Sequence, residues 1–403
     1  MKILIIHRYF WPDQANCGQI LWNVAKHYQS QGHYVDVLTS LPSRNEFSKK
    51  IEKKKNEIHE NVNIKRINLP NEIGKPLQRI FNSIKLGLFT NFLVMQNKYD
   101  VIIATSAPAI LGGFFSAIAS FLFKKRFIYF CMDLYPEIGK LSGDFSNPIL
   151  YKFLEKIDNW NCKRADSIIV HSLDMKKTLE NRSGGEKFKI NIINNFSVPS
   201  EVFIKHISNY NPILKKKKLS IIFVGNIGRF QGLEIIIDAM SLIKRKGRDD
   251  IELVIMGAGT AKKELINLVE KTQTNVIFFD YQTIEIMKQA IVNADIGLVT
   301  LRPNIYKCSY PGKLMSYLEQ GRPIISMVET ESELAKTMIT EGYGFSVPFA
   351  DIESITKLFI NLADDSSWKL AMNKAALNAH QKNFSKVKIL KKWSDLLKNV
   401  KNF

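Results

Sequence analysis

The chain has 403 residues, 45% hydrophobic and 24% charged, a balance that excludes a disordered or fibrous polypeptide and suits two full-sized domains. Its cysteines, Cys17, Cys131, Cys162 and Cys308, show no paired spacing, which argues against a disulfide frame or thiolate metal site and for a reducing cytosol. The formal net charge of +19 asks for an anionic partner: nucleic acid, anionic lipid or a phosphorylated substrate.

The chain opens on Lys2-Ile-Leu-Ile-Ile6, a buried-strand run with no secretory signal before it. Gly18 to Gln31 reads as a helix ended by Gly32, and Tyr34-Val-Asp-Val-Leu38 as the next strand. This is a βαβ unit and therefore a parallel sheet. Further strands are expected at 62–69, 101–105, 126–131, 167–171 and 190–193. Between them, 77–94 is amphipathic and basic, a pattern that fits a membrane surface and equally an ordinary packed helix. Residues 107–123 carry no charge and come close to the shortest membrane span. Pro108, Gly112-Gly113 and the flanking strands favour a buried or interfacial helix there.

Pro199, Pro212 and the lysines 215–218 mark a linker, after which the alternation restarts. Strands are expected at 219–224, 251–256, 276–279, 296–300 and 323–326, and helices at 232–246, 262–271, 284–293 and 313–320. The predicted fold is α/β, with two doubly wound parallel-sheet Rossmann-like domains facing a cleft. Residues 1–200 form the first domain, 201–218 the linker and 219–375 the second, with 376–403 a terminal helix returning to the first. Such sheets bind ligands beyond the carboxyl ends of their strands.

Lysines cluster at 49–55, 215–218 and 386–401. They read either as solvated faces or as attraction to an anionic membrane, where each adds about 1 kcal/mol. No basic stripe interleaved with aromatics is present, so no nucleic-acid partner is expected.

The strongest local signal is Phe223-Val-Gly-Asn-Ile-Gly-Arg-Phe-Gln-Gly-Leu-Glu234. Gly225, Gly228 and Gly232 lie between a strand and a helix, where backbone amides can approach an anion and Arg229 can add a bidentate contact. It matches neither the phosphate-loop nor the Gly-x-Gly-x-x-Gly dinucleotide motif, and a purely structural glycine turn remains the other reading. A second candidate is Ser309-Tyr-Pro-Gly-Lys-Leu-Met-Ser316, where Gly312 opens a helix with Lys313 in its first turn. Both follow strands of one sheet, so they could clamp a single diphosphate. In the first half, Asp133-Leu-Tyr-Pro-Glu137 follows a strand. Its carboxylates could orient a hydroxyl nucleophile or stabilise positive charge at a sugar carbon, with a helix cap as the bland alternative for Asp133. His171, also at a strand end, reads more readily as structural. No histidine pair, Asp-x-Asp or Cys/His cluster marks a metal site.

Together these segments resemble bacterial glycosyltransferase family 4, of the twin-Rossmann GT-B type, and especially its O-antigen, capsule and colanic-acid branch. The resemblance rests on His7-Arg-Tyr-Phe-Trp-Pro-Asp with Gly18, on Asp133-Leu-Tyr-Pro-Glu137, on Ile193-Asn-Asn-Phe-Ser, on Gly225-Asn-Ile-Gly with Gln231-Gly-Leu-Glu, and on the helix from Lys313. It implies a retaining, metal-independent transfer from a nucleotide-diphosphate sugar bound on the carboxyl half, with no other cofactor. The implied acceptor is a polyprenyl-diphosphate-linked saccharide, and the implied place is the inner face of the cytoplasmic membrane. Asp133 and Glu137 become the expected catalytic residues. The expected donor site comprises Gly18, Gly225, Asn226, Arg229, Gln231, Gly257, Tyr281, Ser309, Tyr310, Gly312, Lys313 and Ser316. The sequence departs from the family where many members carry an Arg and a Lys, here Asn226 and Gln231. It departs again at a glutamate pair, here Cys308 and Ser316, so ribose and sugar recognition must differ. Two other readings stay open: a nucleotide-sugar 2-epimerase of similar fold, and a non-catalytic basic protein binding RNA or lipid.

Overall fold

The computed structural model describes residues 1–13, 15–42, 54–72, 75–199 and 217–401. The expected linker lies outside these residues except for Lys217 and Lys218, as does the 49–55 lysine cluster except for Lys54 and Lys55. The chain divides into two compact units. The first holds Met1–Asn194, Lys307–Tyr310 and the carboxyl-terminal segment from Val387; the second holds Asn195–Tyr306 and Pro311–Lys386.

The first unit is built on β1 (Lys2–Ile6), β2 (Tyr34–Ser40), β3 (Asn56–His59), β4 (Val62–Ile67), β5 (Val101–Thr105), β6 (Arg126–Phe130), β7 (Ser167–Val170) and β8 (Ile190–Ile192). They form one sheet in the order β3-β4-β2-β1-β5-β6-β7-β8, parallel except for β3, which runs antiparallel to β4. Strands β1, β5 and β6 are covered on both faces, so their sequences are continuous apolar runs and not alternating ones. The edge strand β3 is polar, Asn-Glu-Ile-His, and for that reason sequence patterning did not reveal it. The unit's helices are α1 (Asn16–Ser30), α2 (Pro76–Gln96), α3 (Leu111–Phe123), α4 (Glu137–Ser142), α5 (Pro148–Arg164) and α6 (Leu173–Glu180).

The second unit carries β9 (Leu219–Asn226), α7 (Leu233–Arg245), β10 (Ile251–Ala258), α8 (Lys262–Thr272), β11 (Val276–Phe279), α9 (Ile284–Asn293), β12 (Ile296–Thr300), α10 (Lys313–Glu319) and β13 (Ile324–Met327). It continues with α11 (Glu333–Thr340), β14 (Gly344–Val347), α12 (Ile352–Asp364) and α13 (Trp368–Ala379). Its sheet is wholly parallel, ordered β11-β10-β9-β12-β13-β14. Phe223, Ile236, Leu253, Leu298 and Phe359 are fully buried at the centre of its core. Both halves are therefore the expected Rossmann-like α/β sheets. Helix α14 (Lys386–Lys401) packs on the first unit: Trp393 meets Phe130 edge-on at 5.2 Å, and the Tyr28 hydroxyl donates to the Trp393 carbonyl at 2.9 Å.

The second sheet grows from β9 outward to β11, then returns to the other side of β9 as β12, which makes the β9–β12 boundary its topological switch point. These two strands pair only at Ile221–Ile296 and Ile222–Gly297, and then separate. The Tyr317 side chain of α10 enters the gap. Its hydroxyl accepts from Val224 N at 3.0 Å and has the Ile222 and Leu298 carbonyls at 3.2 and 3.3 Å to donate to. Gly297 makes the room, since a Cβ there would meet the Tyr317 ring at 2.5 Å. Gly297→Ala is expected to destabilise the protein by about 1–3 kcal/mol through overpacking. A lowered urea midpoint with an unchanged m-value would show it.

Candidate functional site

At the switch point of the second unit, Gly225 ends the apolar run of β9 and Gly257 ends that of β10, the two lying opposite each other in register. A Cβ on Gly257 would run into the Gly225 carbonyl oxygen, so this close approach requires glycine. Lys313, the first residue of α10, reaches over the same strand end. Its ammonium stands 4.5 Å from the centroid of the Phe223 ring, and a Cβ on Gly225 would lie 3.6 Å from its Cε. Loss of hydration in these surroundings brings the Lys313 pKa down to about 8. No carboxylate among the described residues pairs with it. The second unit thus presents a desolvated cation beside a glycine at a strand's carboxyl end, an arrangement suited to a compact anion.

The loop that follows is held by its own side chains. The Gln231 side-chain oxygen accepts from Gly228 N at 2.9 Å, which closes the turn. Asn226 is exposed, with its amide against Gly228. The Arg229 side chain is exposed, while its carbonyl accepts from Arg302 Nε at 2.7 Å. Arg302 also donates from its backbone N to the Phe230 carbonyl at 2.7 Å and pairs with Glu234. Arg302 therefore ties the loop after β9 to the loop after β12, a role that no local sequence signal revealed.

Other expected donor residues are dispersed. Gly312 caps α10 in right-handed helical geometry (φ −61°, ψ −21°). On the same helix Ser316 Oγ lies 3.4 Å from Ser197 Oγ, and Ser197 donates to Glu319 at 2.7 Å. Glu319 also pairs with the buried Lys288 at 2.7 Å. Tyr281 is exposed in the loop after β11, at the sheet edge and two strands away from β9. Ser309 and Tyr310 fall in the first unit. Gly18 also belongs to the first unit, in the first turn of α1, where a Cβ would run into the Tyr9 carbonyl. Within the second unit the structure thus brings Gly225, Gly257 and Lys313 together and leaves Tyr281 two strands away.

In the first unit, Asp133 follows β6 and accepts from Ser309 Oγ at 2.6 Å. Burial raises its pKa, and the Ser309 hydrogen bond opposes that rise. It caps no helix, since α4 begins at Glu137 behind Pro136. Glu137 is occupied differently: Arg182 holds both its oxygens, Nε to Oε1 at 2.7 Å and Nη2 to Oε2 at 2.6 Å. The same guanidinium donates to the Tyr135 carbonyl and Asp158, each at 2.7 Å, and to Asn159 at 3.4 Å. Asp158 in turn accepts from the Tyr129 hydroxyl at 2.7 Å. Burial alone would lower the Arg182 pKa, but the Asp158 and Glu137 charges outweigh it and raise the value. Glu137 is thereby fully paired with Arg182 and not a free carboxylate. His171 is buried, with Nδ1 3.1 Å from the Ile193 carbonyl oxygen, and burial takes its pKa down to about 4 against the smaller effect of that hydrogen bond. Among the described residues no His/Cys/Asp/Glu cluster could hold a metal ion, and all four cysteines are buried and form no disulfide.

Arg182→Met leaves Glu137 and Asp158 buried without their cation. The expected cost is about 3–5 kcal/mol, the range for breaking one side of a buried pair, read from chemical unfolding.

Residues 18–197 match the family model described as glycosyltransferase family 4, and residues 218–365 match glycosyl transferases group 1. The chain is 23% identical over 305 residues to the probable glycosyltransferase WbjE of Pseudomonas aeruginosa, with 72% of each chain covered. Its fold superposes on sucrose-phosphate synthase from Thermosynechococcus elongatus with a TM-score of 0.78 at 15% identity, covering 99% of both chains. Anabaena HepE in complex with UDP-glucose gives 0.72 at 16% identity, covering 99% of this chain and 100% of that one. The two family models between them span most of the chain, which belongs to the family 4 glycosyltransferases, enzymes of the GT-B fold.

Proposed function

We propose that the protein moves a sugar from a nucleotide-diphosphate sugar to a polyprenyl-diphosphate-linked saccharide, with retained configuration and without a metal, in surface-polysaccharide assembly at the inner face of the cytoplasmic membrane. The observation that carries the donor half is the Lys313 ammonium, desolvated beside Gly225 and free of any carboxylate among the described residues. The crystallised complex of the fold neighbour HepE with UDP-glucose supports the ligand class. The acceptor, the pathway and the retained configuration rest on the resemblance in Asp133-Leu-Tyr-Pro-Glu137 and in the helix from Lys313.

In this reading the Lys313 ammonium receives the charge that collects on the diphosphate as the glycosidic bond breaks. Asn226, Arg229, Gln231, Gly257, Gly312 and Ser316 shape the donor site. Asp133 orients the acceptor hydroxyl or the donor sugar, and the Arg182–Glu137 pair holds its loop in place. Ser309 enters it through its hydrogen bond to Asp133, and Gly18, Tyr281 and Tyr310 through the loops they support.

A thermal-shift screen against UDP, GDP, dTDP and CDP tests the donor site, because a ligand bound by the native state alone raises its stability. One nucleotide is expected to stabilise the wild type and to fail with Lys313→Met, whose transfer rate drops by about 10²–10³-fold. No shift with any of the four would remove the donor assignment. Binding has a pH signature as well. Free Lys313 titrates at about 8, and a bound diphosphate raises that value, so binding takes up a proton and affinity falls as pH climbs through 8. Calorimetry at pH 7 and pH 9 would register the decline, which Lys313→Met abolishes. Asp133→Asn is expected to lose transfer while keeping the nucleotide shift; full activity would take Asp133 out of the mechanism. Activity that survives EDTA is expected, and loss on chelation with recovery on added magnesium would contradict the metal-free reading.

A further inference from the structure

Helix α2 is built inside out. Its buried face includes Asn82, Ser83, Gly87 and Thr90 beside Leu86, Leu93 and Val94. The polar members are satisfied internally: Asn82 donates to the Pro70 carbonyl and Glu72, each at 2.9 Å, and Ser83 and Thr90 donate to carbonyls one turn back. The opposite face carries Leu77, Phe81, Leu88, Phe92 and Met95, spaced as one helical stripe and between 48% and 70% exposed. A water-facing helix would have these two faces exchanged.

The stripe continues onto its neighbours. Helix α3 joins α2 where Asn91 donates to the Phe115 carbonyl at 3.1 Å, and it ends in the exposed Phe121 and Leu122. Helix α5 joins α3 where Trp160 meets Phe114 at 5.5 Å and the Arg164 guanidinium lies 5.1 Å from the Phe121 centroid; it exposes Ile149 and Phe153. The charge around this surface has one sign in excess. From Pro76 to Phe123 the sole acidic residue is Asp100, and α5 adds the partly exposed Glu155, while Arg79 and Lys85 on α2, Lys124 after α3, and Lys152 and Lys156 on α5 are all exposed.

We propose that this α2–α3–α5 face of the first unit docks on an anionic lipid bilayer. Its aromatic and aliphatic side chains enter the acyl boundary, and its lysines and arginines meet acidic headgroups. The assignment names the surface for the membrane-side acceptor proposed above and rests on that reading. Charge decides the occupant: a second copy of this cationic chain would bring like charges together, whereas an acidic headgroup layer complements both parts of the surface. Among the described residues no helix is long and apolar enough to cross a membrane, so the surface lies on the bilayer.

The test is flotation of the full chain with vesicles of phosphatidylcholine alone and of phosphatidylcholine mixed with phosphatidylglycerol. The double variant Phe81→Ser/Phe92→Ser and the charge reversal Arg79→Glu/Lys85→Glu are run alongside, each with its nucleotide thermal shift. The wild type is expected to float with the anionic vesicles only. Both variants should lose at least tenfold in partitioning while keeping the wild-type nucleotide shift. Wild-type protein left in solution would overturn the proposal, and so would serine variants that float unchanged, since net charge would then account for binding. A solution dimer dispersed by the serine variants would assign the face to a second copy and overturn it too. A lost nucleotide shift in the wild type would instead count against the donor reading, so the two failures are distinguishable.

Discussion

A single phenolic hydroxyl keeps the second sheet open where a ligand would need it open. Strands β9 and β12 part after Gly297, and in the gap the Tyr317 hydroxyl accepts from Val224 N and shares its one proton between the Ile222 and Leu298 carbonyls. Unpaired backbone groups at that depth would otherwise favour closing the gap. Because Tyr317 belongs to α10, the bonds that keep the strands apart also fix the helix that carries Lys313. The lysine is thereby held over Gly225 with no ion pair among the described residues, and the Phe223 ring offsets part of its lost hydration. A site arranged this way is ready for an anion before the anion arrives.

The first unit solves a related problem by saturation. Arg182 has five N–H donors, and Glu137, Asp158, Asn159 and the Tyr135 carbonyl use them all. A buried guanidinium so fully engaged specifies one backbone course for residues 133–137. The charge pair acts on the geometry of a loop more than on net stability, since desolvation cancels much of what the ions gain. The loop after β6 therefore presents Asp133 from a rigid base.

The strands were the most legible part of the sequence, because in parallel sheets covered on both faces they are uninterrupted apolar runs such as Val101–Ala104 and Ile221–Val224. The polar edge strand β3 and the elements from α11 to α13 left weaker patterns. Local motifs pointed to Gly225 and Lys313, and the return of β12 alongside β9 puts them side by side. What could not be read were the long-range partners. Nothing near Arg182 announces Glu137, and nothing near Tyr317 announces Val224, because a hydrogen-bond partner distant in sequence leaves no periodicity. The pairing of Glu137 was hidden for the same reason: its cation lies too far along the chain to be matched with it by inspection.

The seating of α14 on the first unit has a bearing on biosynthesis. Trp393 packs against Phe130, and the Tyr28 hydroxyl donates to a carbonyl of that last helix. A ribosome finishes the sheet of the first unit long before it releases these residues. The nascent unit must therefore wait, with Phe130 and Tyr28 uncovered, through synthesis of the entire second unit. Domains that emerge in order commonly fold in order; here the amino-terminal one reaches its final form last, when the tail comes back to it.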